Sequence, residues 1–127
     1  MRLLLILFLL VYTLFADSDE EKHHHYYHKD LTYLNLDDGQ KKSLKHILKE
    51  YRKNIKDYRD DKKNILKQKQ AIFSQDNFDA SRLEELNSKI AQLATELEVE
   101  FLQQIHTLLS KEQRKKFMEY IDEWEVE

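Results

Sequence analysis

Two short stretches, Leu36-Asp37-Asp38-Gly39-Gln40 and Leu109-Ser110-Lys111-Glu112-Gln113, decide the fold of this chain. Each places a residue with a side-chain oxygen directly after a leucine, and a glutamine three positions further on. This is the spacing of a capping box, in which the first side chain accepts a backbone hydrogen bond and the glutamine reaches back to the cap. The sequence therefore predicts that a helix begins at each copy, with Asp37 and Ser110 as the N-caps. On physical grounds Leu36, Gln40, Leu109 and Gln113 are structural residues.

Composition favours a fold built almost entirely from helices. The 127-residue chain has no proline, no cysteine and a single glycine, Gly39. Sheet proteins use many glycines and prolines in turns, whereas Leu, Lys, Glu and Gln, which are abundant here, favour helix. Without cysteine an exported fold has no disulfide and must rely on packing. We therefore expect an all-α fold.

Apolar residues recur at helical spacing in two long segments between the boxes. The first series is Leu44, Leu48, Tyr51, Ile55, Tyr58, Ile65 and Ile72, reinforced by Ile47, Leu66 and Phe73. The second series is Leu83, Leu86, Ile90, Leu93, Leu97, Phe101, Ile105 and Leu108. A straight first helix would be about 54 Å long, which is too long for a compact globule, so the hairpin must be elongated or bent, and we expect a long bent helix.

The two series are separated by a polar stretch, SQDNFD at residues 74–79, which has the composition of a turn. Asp79 or Ser81 is suited to cap the second helix. A last short helix is predicted to carry Phe117, Met118, Ile121 and Trp124. The pattern predicts a long antiparallel helical hairpin with a short terminal helix.

Two segments are predicted ahead of the helical domain, residues 31–127. Residues 1–16, MRLLLILFLLVYTLFA, have a basic start, an apolar run of about thirteen residues and a small last residue, the layout of a secretory signal peptide. Because a membrane-spanning helix needs roughly 20 residues, cleavage after Ala16 is favoured over the alternative of an uncleaved anchor. Residues 17–30 lack apolar periodicity and are predicted to form a flexible, histidine-rich arm.

The arm offers a candidate metal site. It carries four imidazoles within six residues, those of His23, His24, His25 and His28. Neutral imidazole binds zinc, copper and nickel, and histidine-rich tracts bind such metals. The alternative is an arm that binds metal only adventitiously, and neither interpretation requires a cofactor.

Charge is distributed unevenly along the chain, whose net charge is −3. Residues 41–69 carry twelve bases and four acids, whereas residues 70–127 carry six bases and thirteen acids. The candidate client-binding surface in the basic segment consists of Lys45, Lys49, Arg52, Lys53, Lys56 and Arg59. Ile47 and Tyr51 are candidate apolar contacts of this surface, with a place in the core or the dimer seam as the equal alternative. Such a surface attracts acidic or partly unfolded proteins through long-range charge. The alternative is a solvated helix face that the acidic segment of a partner copy compensates.

Two other classes of function find little support in the sequence. An exported acidic chain is a poor match for a nucleic-acid-binding protein. The chain also has no cysteine nucleophile, no glycine-rich phosphate loop and no H-E-x-x-H motif that would indicate an enzyme.

The pair of boxes flanking a long hairpin resembles the Spy/CpxP family of periplasmic proteins, whose hallmark is a pair of LTxxQ motifs. Asp37 and Ser110 stand where the family has threonine, and both are adequate caps. The strings YLNLDDGQKKSL, IFSQDNFDASRLEEL and LLSKEQRKKF resemble the family as well. The resemblance covers roughly residues 33–124, most of the expected mature chain.

The resemblance implies a curved, four-helix protomer that forms an antiparallel, cradle-shaped homodimer. It also implies an ATP-independent periplasmic chaperone that binds unfolded or partly folded envelope proteins under envelope stress. An accessory role that restrains a periplasmic sensor histidine kinase domain is implied as a further activity of the family.

A related group of the same fold, the CnrX-like and ZraP-like proteins, contains periplasmic metal sensors. Leu48, Phe101 and Ile105 stand at positions where the CnrX-like pattern has metal ligands. We therefore expect only the arm to bind metal, in a looser, ZraP-like manner. The alternative function is a metal-responsive regulator of a heavy-metal or envelope-stress two-component response.

Overall fold

The computed structural model describes Lys29 and residues 31–127. The chain divides into two units, Met1–Asn35 and Leu36–Glu127. The predicted signal peptide, residues 1–16, and the predicted arm, residues 17–30 apart from Lys29, lie outside the described residues. Helix α1 spans Asp38–Phe73, α2 spans Ala80–Leu108 and α3 spans Lys111–Met118, and short 3-10 turns lie at Thr32–Leu34 and Ile121–Trp124.

The all-α prediction is confirmed, because the described part of the chain contains helices and no strand. Helices α1 and α2 contact one another along their length and are joined by residues 74–79, so they form the predicted long hairpin. The resemblance implies four helices, whereas the described residues form three α-helices and the two 3-10 turns.

Each helix begins at a side-chain cap. Asp37 accepts a hydrogen bond from the backbone of Gln40 at the start of α1, and Ser110 accepts one from Gln113 at the start of α3. Asp79, one of the two candidate caps, accepts a bond from the backbone N–H of Arg82 at 2.9 Å. These bonds satisfy backbone donors that have no partner inside the helix, which fixes where each helix starts.

The core of the hairpin follows a seven-residue repeat along α1. Leu44, Tyr58, Ile65 and Ile72 are buried at this spacing, and Tyr51 is half-buried. Positions seven apart drift by only about 20° around a straight helix, so all of them face α2. The buried residues of α2 are Leu86, Leu97, Phe101 and Ile105, all members of the second predicted series.

Two residues predicted to reinforce the seam of α1 are exposed instead. Leu66 is 53% exposed and Phe73 is 82% exposed, although each directly follows a buried isoleucine. Successive helical residues point about 100° apart, so a residue next to a seam position faces away from the seam. Met118, which follows the buried Phe117, is exposed for the same reason.

An aromatic cluster fixes the C-terminal segment against the hairpin. The rings of Tyr51 and Phe101 lie 4.3 Å apart, and the Trp124 ring lies 4.6 Å from Phe101 and 6.4 Å from Phe117. Trp124 is 2% exposed. Because large aromatic side chains contribute much of the energy of small cores, this cluster explains why the chain after α3 folds back onto α1 and α2.

Candidate functional site

The two capping boxes meet in space through their glutamines. The Gln40 Nε2 donates a hydrogen bond to the Gln113 Oε1 at 2.8 Å, and the Gln113 Nε2 donates one to the Gln40 Oε1 at 3.1 Å. The two amides therefore form a reciprocal pair between residues 73 positions apart in the sequence. We call this pair, with its caps and the Leu108 carbonyl described next, the glutamine junction.

The glutamine amides also complete the helix ends around them. The Gln40 Oε1 accepts a bond from the Asp37 N–H at 3.1 Å, and the Gln113 Oε1 accepts one from the Ser110 N–H at 2.9 Å. The Gln40 Nε2 donates a second bond, at 3.0 Å, to the carbonyl of Leu108, the last residue of α2. Gln40 thereby uses both of its donors and both lone pairs of its oxygen, so the junction ties the starts of α1 and α3 to the end of α2.

Six cations of the predicted client-binding surface are exposed on α1. Five of them are spaced alternately by four and three residues, so they lie within an arc of about 80° around the helix. We call these five residues the basic stripe: Lys45, Lys49, Arg52, Lys56 and Arg59. None of the five forms an ion pair with another described residue. Lys53 lies beside the stripe and contacts Asp57 at 3.4 Å.

The structure does not bring Ile47 and Tyr51 to the basic stripe. Ile47 is half-buried and, about 200° around α1 from Lys45, lines an open groove with residues of α2. The Tyr51 ring faces inward, where it packs at a tilt against Phe101 and lies edge-on to Trp124, with ring centres 5.6 Å apart. The two apolar contacts predicted for clients thus lie on the side of α1 that packs against the rest of the protomer.

Tyr51 also has an altered acidity. Burial raises the pKa of its hydroxyl above the ordinary value of 10.0, the Glu98 carboxylate raises this pKa further, and Arg59 lowers it. Desolvation and a nearby negative charge both disfavour the phenolate. Tyr51 is therefore a neutral member of the aromatic cluster at physiological pH.

A second candidate surface, which the sequence interpretation missed, lies further along the hairpin. Ile65 and Leu66 of α1 and Ile90 of α2 form the floor of a groove of about 400 Å³. Its rim is cationic and consists of Arg59, Lys62, Lys63 and Lys69. We call it the cationic groove. The signal in the sequence was the pair Lys62-Lys63 followed three residues later by Leu66, but Leu66 was predicted to belong to the apolar seam.

The remaining predicted site is not tested by the described residues. His23, His24, His25 and His28 lie outside them, so metal binding by the arm stays a prediction. Among the described residues, no group of three or more histidine or acidic side chains is arranged to hold a metal ion. His46 and His106 are exposed, and Phe101 and Ile105 are buried in the core. None of the described helices is long and apolar enough to span a membrane.

Comparison with known protein families identifies the family of this chain. The model of the LTXXQ motif family matches residues 23–120, which include both capping boxes and the whole hairpin. That family contains the Spy/CpxP-like periplasmic proteins, so the resemblance drawn from the two boxes is confirmed. Comparison with curated proteins and with solved structures gave no significant match. The match covers most of the chain, and the chain therefore belongs to the LTXXQ motif family.

Proposed function

We propose that this protein is a Spy/CpxP-like periplasmic chaperone that binds unfolded or partly folded envelope proteins without ATP. Membership of the LTXXQ family supports the class of protein and its compartment. The apolar run in residues 1–16 supports export across the inner membrane.

The observation that carries this proposal is the basic stripe. Five cations follow one exposed line along α1, and no described acidic side chain neutralises them through an ion pair. Such a line of charge attracts acidic segments of an unfolded chain over about 8 Å in physiological salt. Because exposed ion pairs contribute only about 0–1 kcal/mol each, a client held this way is released without an energy source.

We also propose that the working unit is an antiparallel homodimer. The hairpin leaves several large apolar side chains exposed at both of its ends, including Phe73 and Phe78 near the turn and Met118 and Ile121 near the C terminus. The basic stretch of residues 41–69 and the acidic stretch of residues 70–127 give two copies complementary charges. An antiparallel pair brings opposite ends of two hairpins together.

The proposal is tested by light scattering from an aggregating client protein. Residues 17–127, the expected mature chain, are added at increasing ratios, with and without EDTA. We expect wild-type protein to suppress the scattering at near-stoichiometric ratios. A variant that reverses three charges of the stripe, Lys49→Glu with Arg52→Glu and Lys56→Glu, should require several-fold more protein.

A matched control separates the stripe from the total charge. Lys89→Glu with Lys111→Glu and Lys116→Glu makes the same change in net charge at exposed positions outside the stripe. This control should suppress scattering as wild type does. Loss of suppression in both variants would assign the effect to net charge, and no suppression by wild type at several-fold excess would reject the chaperone proposal.

A second candidate function is a metal-responsive accessory or sensor protein that acts on the periplasmic domain of a sensor histidine kinase. The four imidazoles of residues 23–28 favour it, because they lie inside the segment that the family model matches. Under this proposal zinc, copper or nickel changes the stability or assembly of the protein at stoichiometric ratios. Suppression of scattering that disappears with EDTA would connect metal binding to chaperone activity, whereas suppression that ignores EDTA would separate them.

A further inference from the structure

We propose that the cationic groove binds a small anionic amphiphile: a single hydrocarbon chain with a carboxylate, sulfate or phosphate headgroup. This activity is separate from client binding by the basic stripe, although Arg59 belongs to both surfaces. The groove combines an apolar floor with four cationic side chains of α1 at its rim, and an anionic amphiphile requires both features.

The size of the groove favours a small molecule. Its lining residues on α1 run from Arg59 to Lys69, a distance of about 15 Å along the helix axis. Its volume of about 400 Å³ falls inside the range of about 300–1,000 Å³ that is usual for small-molecule sites. A stable protein interface buries about 1,200 Å² or more, which a floor of three side chains cannot supply.

The charges around the groove are available to a ligand. The rim residues Arg59, Lys62, Lys63 and Lys69 form no ion pair with any described residue. The Lys62 Nζ lies 6.0 Å from the centre of the Tyr58 ring, a weak cation–π contact that keeps it on the rim. An anionic headgroup therefore meets several unpaired cations at once, and none of the lining residues is acidic.

The floor supplies the apolar half of the site. Ile65 is 4% exposed and forms the buried part of the floor, whereas Leu66 is 53% exposed and forms its outer part. Ile90 of α2 packs against the buried cluster of Ile65, Ile72 and Leu86 and lines the groove from the opposite helix. A hydrocarbon chain lying along this floor covers Leu66, and the methylene stems of the rim lysines cover the chain from the sides.

The experiment is calorimetric titration of the protein with octanoate, decanoate and dodecanoate, each below its micelle-forming concentration. We expect saturable one-to-one binding that tightens by up to about fourfold for each methylene buried. Dodecyl phosphate and dodecyl sulfate should bind as dodecanoate does, and a difference among them identifies the preferred headgroup. Dodecyltrimethylammonium, which has the same chain and the opposite charge, should bind at least tenfold more weakly.

Two variants assign the binding to this groove. Leu66→Glu places a carboxylate on the exposed part of the floor, and Lys62→Glu with Lys63→Glu reverses two rim charges. Each variant should weaken dodecanoate binding at least tenfold. Val99→Glu is the matched control for the first, because Val99 is 56% exposed on α2. Lys41→Glu with Lys42→Glu is the control for the second. Circular dichroism verifies that each variant keeps its helix content.

Several outcomes would overturn the proposal. Binding that Leu66→Glu leaves unchanged would place the amphiphile elsewhere, and equal affinity for dodecyltrimethylammonium would remove the role of the cations. If the groove variants instead turn a dimer into a monomer in sedimentation experiments and wild type binds no dodecanoate, the occupant is a second copy of the chain. None of these measurements uses a client protein, so their result is independent of chaperone activity.

Discussion

Gln40 and Gln113 do more than cap the helices in which they lie. In a capping box the glutamine needs only its oxygen, which accepts a bond from the backbone N–H of the cap residue. The side-chain nitrogen of Gln40 has no role in the capping box, and here it donates hydrogen bonds to the Gln113 Oε1 and to the Leu108 carbonyl. The glutamine has therefore two roles at each box, and substitutions can separate them.

We predict that Gln40→Ala and Gln113→Ala are coupled. Each single substitution removes a cap contact worth about 0.5–2 kcal/mol and takes one donated and one accepted hydrogen bond from the partner amide, which costs about 1–3 kcal/mol more. The double variant loses both amides together, so it should be less destabilised than the sum of the singles by about 0.5–3 kcal/mol. Urea unfolding of the four proteins measures this coupling. Additive effects would mean that the two amides act independently.

Substitution of Gln40 by glutamate tests the two bonds that its side-chain nitrogen donates, separately from its role in the capping box. Gln40→Glu keeps an oxygen that completes the capping box, but it replaces the two donated bonds with a carboxylate facing the Leu108 and Gln113 oxygens. We expect a loss of stability of about 1–3 kcal/mol with the start of α1 unchanged by NMR chemical shifts. Gln75→Glu, in the exposed turn, is the control and should change stability by less than about 0.5 kcal/mol.

Tyr51 makes the stability of the protein sensitive to alkaline pH. Because burial and Glu98 raise its pKa in the folded state, the folded protein holds the phenolic proton more tightly than the unfolded chain does. Its contribution to stability is therefore complete below the unfolded-state pKa of about 10 and is lost as pH rises through the folded-state pKa. Urea unfolding at pH 9 and pH 11 should show a smaller alkaline loss in Tyr51→Phe than in wild type. An equal loss in both proteins would assign it to other tyrosines.

At the scale of a single helix, neighbouring residues of α1 make opposite contributions. Ile72 is 6% exposed and belongs to the hairpin core, whereas Phe73 is 82% exposed. We predict that Ile72→Ala lowers the free energy of unfolding by about 2 kcal/mol or more, and that Phe73→Ala changes it by less than about 0.5 kcal/mol. Thermal unfolding of both variants, followed by circular dichroism, compares their stabilities directly. A larger effect at Phe73 would mean that a partner chain covers it.

The sequence predicts the elements well because their determinants are local. Asp37, Asp79 and Ser110 each accept a bond from a backbone N–H three residues later, so the start of each helix is encoded within one turn. The seam of α1 is also encoded locally as a seven-residue repeat. Leu66 and Phe73 were misplaced because hydrophobicity alone does not reveal which of two adjacent apolar residues faces the neighbouring helix.

The candidate sites depend on contacts between distant parts of the chain, and these are harder to predict. The Gln40–Gln113 pair depends on how α1 and α3 cross, which neither capping box specifies. The cationic groove needs Ile90 of α2 beside Leu66 of α1, a contact that requires the register of the hairpin. The sequence left Tyr51 open between a client surface and the core, and its place in the aromatic cluster follows from Trp124 folding back along the chain.

At the scale of the whole molecule, the homodimer that we propose depends on complementary charge and on exposed apolar side chains. If the protein is the proposed dimer, its melting temperature should rise with protein concentration, because association stabilises the folded state by mass action. Attraction between the basic and acidic stretches is screened by salt, so light scattering should report a lower mean mass at 1 M salt than at 0.05 M. A melting temperature that is independent of concentration, with a monomeric mass at both salt levels, would reject the dimer.

The glutamine junction also has a kinetic consequence. The turn at residues 74–79 lets α1 and α2 pair progressively from nearby contacts, whereas the junction closes a loop of 73 residues and forms only after α2 and α3 are in place. We therefore expect the junction to form after the rate-limiting step of folding. Contacts made after that step affect mainly the unfolding rate. Loss of the junction should therefore leave the refolding rate nearly unchanged and shorten the lifetime of the native state.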